Sequence, residues 1–127
     1  MDQTFPRSRR LLAARDFNQV FNQAVTKAGC PEILLLAAKT EAIPAARIGF
    51  IISRKSAKHA VDRNRIKRLF REALRLDPHL PAMDIVVLAR KGAGQWVDKQ
   101  NLETVTQLLN RLAKRFNAVN SGNNQQR

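Results

Sequence analysis

The sequence predicts an α+β domain in which amphipathic helices pack on a small sheet in two layers. Three observations carry that prediction. Short apolar runs at 33–38, 47–53 and 84–89 have the length of strands. Segments before, between and after them carry apolar residues at helical spacing instead. The chain has 127 residues, the length of one domain and enough to bury a single core without staples. The expected order is helix, strand, strand, helix, strand, helix.

Residues 1–11 read as an irregular basic arm, because Pro6 interrupts regular structure and Arg7, Arg9 and Arg10 crowd together. Ala13, Phe17, Val20, Phe21 and Ala24 then fall on one helical face, and Gly29 and Pro31 stop that helix. The run from Ile33 to Ala38 suits a buried strand. A turn region from Thr40 to Ala45, containing Pro44, leads to a β-branched run from Arg47 to Ser53. This second strand is expected to form a hairpin with the first. Gly49 within it marks a bulge or a close backbone approach.

From His59 to Leu76 the helical period returns. Ile66, Leu69, Phe70 and Ala73 share one side, and Asn64, Arg65, Arg68, Arg71 and Arg75 the other. Lys67 lies at the flank and Arg63 nearer the apolar edge, in the first turn. Pro78 and Pro81 end this helix. The third strand, Asp84 to Ala89, is terminated by Gly92 and Gly94, and Trp96 in the loop beyond is a packing anchor. Asp98 is the expected cap of a last helix whose Leu102, Val105, Leu109, Leu112, Ala113 and Phe116 share a face. One domain over 1–116 and a disordered Asn/Gln-rich tail over 117–127 complete the organisation.

Charge narrows the function. Twenty-three Lys and Arg against ten Asp and Glu give +13 and a pI near 11.4. Self-repulsion at that charge does not favour folding, and a polyanion that relieves it is the expected partner. The excess is local. Residues 54–75 hold Arg54, Lys55, Lys58, Arg63, Arg65, Lys67, Arg68, Arg71 and Arg75 against only Asp62 and Glu72, whereas 16–53 sum to zero.

Other classes lack their signatures. No apolar run approaches the ~20 residues of a membrane span, and no secretory signal is expected at the N-terminus. The single Cys30 forms no internal disulfide, and the expected location is the reducing cytoplasm. His59 and His79 have no partner at metal-ligand spacing, and the carboxylates are scattered singly. Walker, Rossmann and nucleophile-elbow glycine motifs are absent. A nuclease with its own site would need a carboxylate cluster that the sequence does not display.

The strongest local feature is Arg63-Asn64-Arg65-Ile66-Lys67-Arg68-Leu69-Phe70-Arg71. Guanidinium forks bind phosphate bidentately, and Asn64 can donate to or accept from a base edge or sugar. A merely solvated helix face would interleave acids for i, i+4 pairs, and few are present. Phe17 and Phe21, four apart, suit core packing, stacking with unpaired bases, or both. A membrane surface fits less well, since the apolar face of the basic helix is small, lacks Trp and is needed to cover the sheet. On these grounds alone, readout of DNA by a helix and a structural or assembly role on ribosomal RNA both stay open.

Four pieces in sequence order resemble one family, the protein component of bacterial ribonuclease P. They are Phe5-Pro6-Arg7 with Arg10-Leu11, Asp16-Phe17 and Val20-Phe21; Arg47-Ile48-Gly49 with Ser53-Arg54-Lys55; the Arg63-Asn64-Arg65 signature with Ile66 to Leu69; and Asp84 through Gly92. The resemblance runs from about Phe5 to Phe116. It implies the non-catalytic subunit of an endoribonuclease that removes the 5′ leader of precursor tRNA, in which the RNA subunit is the catalyst and holds the Mg²⁺ ions. It implies that Arg63, Asn64, Arg65, Lys67, Arg68 and Arg71 face the catalytic RNA. Phe17 and Phe21 would line a cleft for the single-stranded leader, and Arg54 and Lys55 would extend its cationic surface. The partners implied are ribonuclease P RNA and precursor tRNA, with no membrane and no obligate protein partner, and the protein would lower the magnesium needed for cleavage. The resemblance further implies a left-handed crossover around the basic helix, against the general right-handed rule. In one respect the sequence departs from the family: some members carry a tyrosine on the first strand of the cleft, whereas this chain has none and is aliphatic there, near Leu36.

Overall fold

In the computed structural model, residues 6–40, 43–77 and 79–125 are described. The chain forms helix α1 (Ala14–Gln23), strands β1 (Thr26–Cys30), β2 (Ile33–Lys39) and β3 (Arg47–Ile51), helix α2 (Ala60–Leu76), strand β4 (Met83–Ala89), a short helix α3 (Ala93–Val97) and helix α4 (Leu102–Gln125). The α+β class is as predicted. One four-stranded sheet has the order β1-β2-β4-β3.

The expected hairpin between the runs at 33–38 and 47–53 does not form. β4 lies between them, antiparallel to β2 and parallel to β3. Burial explains the insertion: every residue of β4 but Leu88 is buried, so this strand needs neighbours on both edges. β2 makes its hairpin with β1, across the turn at Pro31 and Glu32. β1 occupies a stretch where the sequence predicts the first helix continuing toward Gly29. That helix ends at Gln23. The β3–α2–β4 connection is the crossover that the resemblance expects to be left-handed.

The main core lies between the sheet and α2 with α4. Ile33, Leu35, Ile85 and Val87 meet Phe70, Leu74, Leu109 and Leu112 there. A smaller cluster of Leu11, Val20, Ala38 and Val86 sits under α1, which packs on β2 and β4. The remainder of that sheet face is only partly covered, with Leu34, Leu36, Leu88 and Ile51 half-buried.

The basic arm is tethered rather than irregular where it is described. Arg7–Arg9 form one 3₁₀ turn, Arg9 Nε donates to Ala46 O at 2.9 Å, and Leu11 N donates to Ile48 O at 2.9 Å. Met1 to Phe5, and with them Phe5 of the family motif, lie outside the described residues, as do Glu41, Ala42, Pro78, Gln126 and Arg127. Asp98 does not cap the last helix. Asn101 does, accepting from Thr104 N at 2.9 Å while Thr104 Oγ1 accepts from Asn101 N at 3.0 Å. α4 continues beyond Phe116 through much of the stretch whose composition suggests a disordered tail; Asn117 and Ala118 are exposed there.

Candidate nucleic-acid interface

α2 buries Ile66, Phe70, Ala73 and Leu74, and this fixes where its charges point. Asn64 and Arg68 are exposed, and Arg65 and Lys67 partly so. Arg65, Lys67 and Arg68 have no carboxylate partner among the described residues. Their charge is therefore available to an external anion. Arg75, on the same side, is spent differently: its Nε donates to Glu72 Oε1 at 3.1 Å, and that hydrogen bond holds the Glu72 carboxyl below its ordinary value.

Arg63 and Arg71 are held by the protein. Arg63 Nη1 donates to Ala57 O at 2.8 Å and Lys58 O at 2.9 Å, tying the loop before α2 to its first turn. The Arg71 guanidinium lies 5.3 Å from the Phe50 ring centroid, and Phe50 meets Phe70 edge-on at 6.2 Å. Burial, and then repulsion from Arg10, push Arg71 below its ordinary value. Its Nε is buried without a hydrogen-bond partner among the described residues. Two neighbouring cations at the mouth of a groove suit an incoming phosphate.

Of the two α1 aromatics, Phe17 reaches the same place. Gly49 allows it: a Cβ there would stand 2.7 Å from both the Phe17 ring and Leu11 Cβ. The close approach foreseen at Gly49 is thus the one that occurs. Phe17 packs against the small core and lines a groove of about 250 Å³ with Leu12, Phe50, Lys67 and Arg71. Phe21, one turn along, is 44% exposed. Leu36, near which the resemblance expects a tyrosine in some members, is half-buried beside the same cluster.

Arg54 and Lys55 are exposed in the turn after β3. Ser56 pins that turn, donating from Oγ to Ala89 O at 2.9 Å. Lys55 borders a cleft of about 470 Å³ lined also by Lys58, His59 and Lys91 and by Asp62 and Asp98. Lys58, His59 and Lys91 come together in this cleft from the ends of two different segments, so no helical or strand period along the sequence joins them. Arg47, by contrast, is neutralised within the fold. Its Nε and Nη2 each donate to Asp84 at 2.8 Å, and this bond raises the Arg47 value.

Among the described residues no group of three or more His, Cys, Asp or Glu could hold a metal ion, and no helix is long and apolar enough to cross a membrane. A protein-family model described as Ribonuclease P matches residues 5–113. The chain belongs to the ribonuclease P protein family. The ribonuclease P protein component of Chromohalobacter salexigens is 51% identical over 92 residues, 72% of this chain and 71% of that protein. The component of Proteus mirabilis is 46% identical over 108 residues, 84% and 89% of the two chains. The solved ribonuclease P protein of Thermotoga maritima aligns with a TM-score of 0.67 at 30% identity, covering 84% of this chain and 96% of its own. That of Staphylococcus aureus gives 0.66 at 25% identity, covering 84% and 93%. Membership of the ribonuclease P family implies a place in an endoribonuclease complex, beside a ribonuclease P RNA, and a role in tRNA processing.

Proposed function

We propose that the chain binds the catalytic RNA of ribonuclease P through α2 and the single-stranded 5′ leader of precursor tRNA through the adjoining aromatic groove. Arg65, Lys67 and Arg68 neutralise backbone phosphates, and Asn64 contacts a base or sugar. Arg63 and Arg71, fixed by the loop carbonyls and the Phe50 ring, present oriented forks. Phe17 and Phe21 offer faces to unpaired bases, and Arg54 and Lys55 neutralise the leader backbone. One observation carries the reading above the others: a single groove joins Phe17 of α1 to Lys67 and Arg71 of α2. Stacking and phosphate neutralisation are therefore adjacent, as a single-stranded RNA requires.

The chemistry belongs to the RNA subunit, whose bound Mg²⁺ would activate water for phosphodiester hydrolysis. This chain's residues position the leader and supply fixed positive charge where two RNAs approach. Fixed cations replace diffusible counterions at those phosphates, so less magnesium suffices. Phe21→Ala tests the leader contact at modest cost to folding, because nearly half of Phe21 is exposed and it lies outside both core clusters. In the holoenzyme, affinity for leader-bearing precursor is expected to fall roughly 5- to 150-fold, the worth of one base stack, while affinity for leaderless tRNA stays unchanged. Equal loss for both substrates would contradict the assignment.

A further inference from the structure

β1 is the outer strand of the sheet, on the edge opposite β3. Two of its carbonyls are bound by α4: Arg115 Nη1 donates to Lys27 O at 2.9 Å and Arg111 Nη1 to Gly29 O at 3.5 Å. The spacings agree. Two strand residues advance about 6.8 Å, and four helical residues about 6 Å. Each guanidinium spends one of its five N–H donors on the strand and keeps the rest. A guanidinium so anchored loses less freedom when it binds a phosphate.

Beside this contact lies a groove of about 280 Å³. Lys27, Arg90 and Arg115 line it together with Cys30 and Leu34, and no carboxylate does. The nearest acid of the hairpin turn, Glu32, packs toward Gly92: a Cβ on that glycine would stand 3.4 Å from Glu32 Cγ. Lys27 also lines the neighbouring groove with Leu36, and Leu36 packs in the cluster that holds Phe17. A path of half-buried apolar side chains thus leaves the aromatic groove, crosses the open sheet face and ends among three bases.

We propose that this β1–α4 groove binds backbone phosphates of the upstream part of the precursor tRNA leader. The inference rests on the leader reading given above and extends it from α1 to the far edge of the sheet. Lys27 and Arg115 take the phosphates, and Leu34 and Leu36 support the intervening nucleotides.

The test uses holoenzyme assembled from ribonuclease P RNA and full-length protein. Three ligands are compared: mature tRNA, and precursors with leaders of about four and about sixteen nucleotides, the range of single-strand site sizes. In the Lys27→Ala/Arg115→Ala variant, affinity for the long-leader precursor is expected to fall about a hundredfold, two charged hydrogen bonds at about tenfold each. Its salt slope should flatten by about 1.4, two phosphate contacts at 0.7 each. The short-leader precursor should bind as before. Lys27→Glu alone leaves the Arg115 contact in place and is expected to act in the same direction without disturbing the fold. Equal losses for both leaders, or no loss in either variant, would overturn the groove assignment. If wild-type holoenzyme fails to prefer either precursor over mature tRNA, the leader reading itself falls, and the groove with it.

Discussion

Identical residue types on one helix do three different things here, and only their neighbours decide which. Arg68 is exposed with no carboxylate partner among the described residues, Arg63 closes a loop, and Arg71 lies on an aromatic ring. A helical projection of the sequence ranks all three as cationic, and correctly separates them from Ile66 and Phe70. It cannot see Ala57 O or the Phe50 ring, which come from outside the helix. Gly49 is the same lesson in reverse. Its residue type signalled a bulge or a close approach, and only the packing of Phe17 and Leu11 on β3 selects the second. Gly49→Ala would force the Phe17 ring to shift. Overpacking of this kind should cost about 1–3 kcal/mol of stability in a urea titration, and unchanged stability would mean that the α1 contact is loose. For the RNA face, Arg68→Ala should lower the salt slope of binding to ribonuclease P RNA by about 1, with an unaltered circular dichroism spectrum. A lost spectrum would make the arginine structural.

The elements with strong internal periodicity were legible. α2 begins and ends within a residue of the span read from its pattern, and β4 extends its apolar run by one residue. β1 was not legible, for a physical reason: of Thr26 to Cys30 only Ala28 is buried, so the segment carries no alternation of its own. It is a strand because β2 pairs with it and α4 covers it. The same dependence on partners hid the insertion of β4 between β2 and β3, since strand order is a tertiary choice. The start of α4 was misplaced by three residues because Asp98 and Asn101 are both good caps by type, and only Asn101 has Thr104 three positions on. Asn101→Ala is expected to destabilise the protein by about 1 kcal/mol in thermal or urea unfolding. The same substitution at Asp98 should leave the α4 cap intact, and the reverse ranking would contradict the assignment.

For the molecule as a whole, the charge distribution and the fold point the same way. Half of the +13 sits between Arg54 and Arg75, and the fold brings Lys67 and Arg71 of that segment to the β3 edge, where Phe17 of α1 shares their groove. The aromatic groove, which belongs to two helices and a strand, could not be seen along the chain; its components, Phe17 and Lys67, could. If about five phosphates are neutralised at this surface, the logarithm of the binding constant for single-stranded RNA should fall with log salt at a slope near −3.5. The central claim is that these surfaces make the RNA subunit effective where magnesium alone does not. It is tested most directly by precursor tRNA cleavage with a bacterial ribonuclease P RNA at low magnesium, with and without this protein. The account predicts that the protein restores cleavage which the RNA alone does not sustain. Tight RNA binding with no restored cleavage would contradict it.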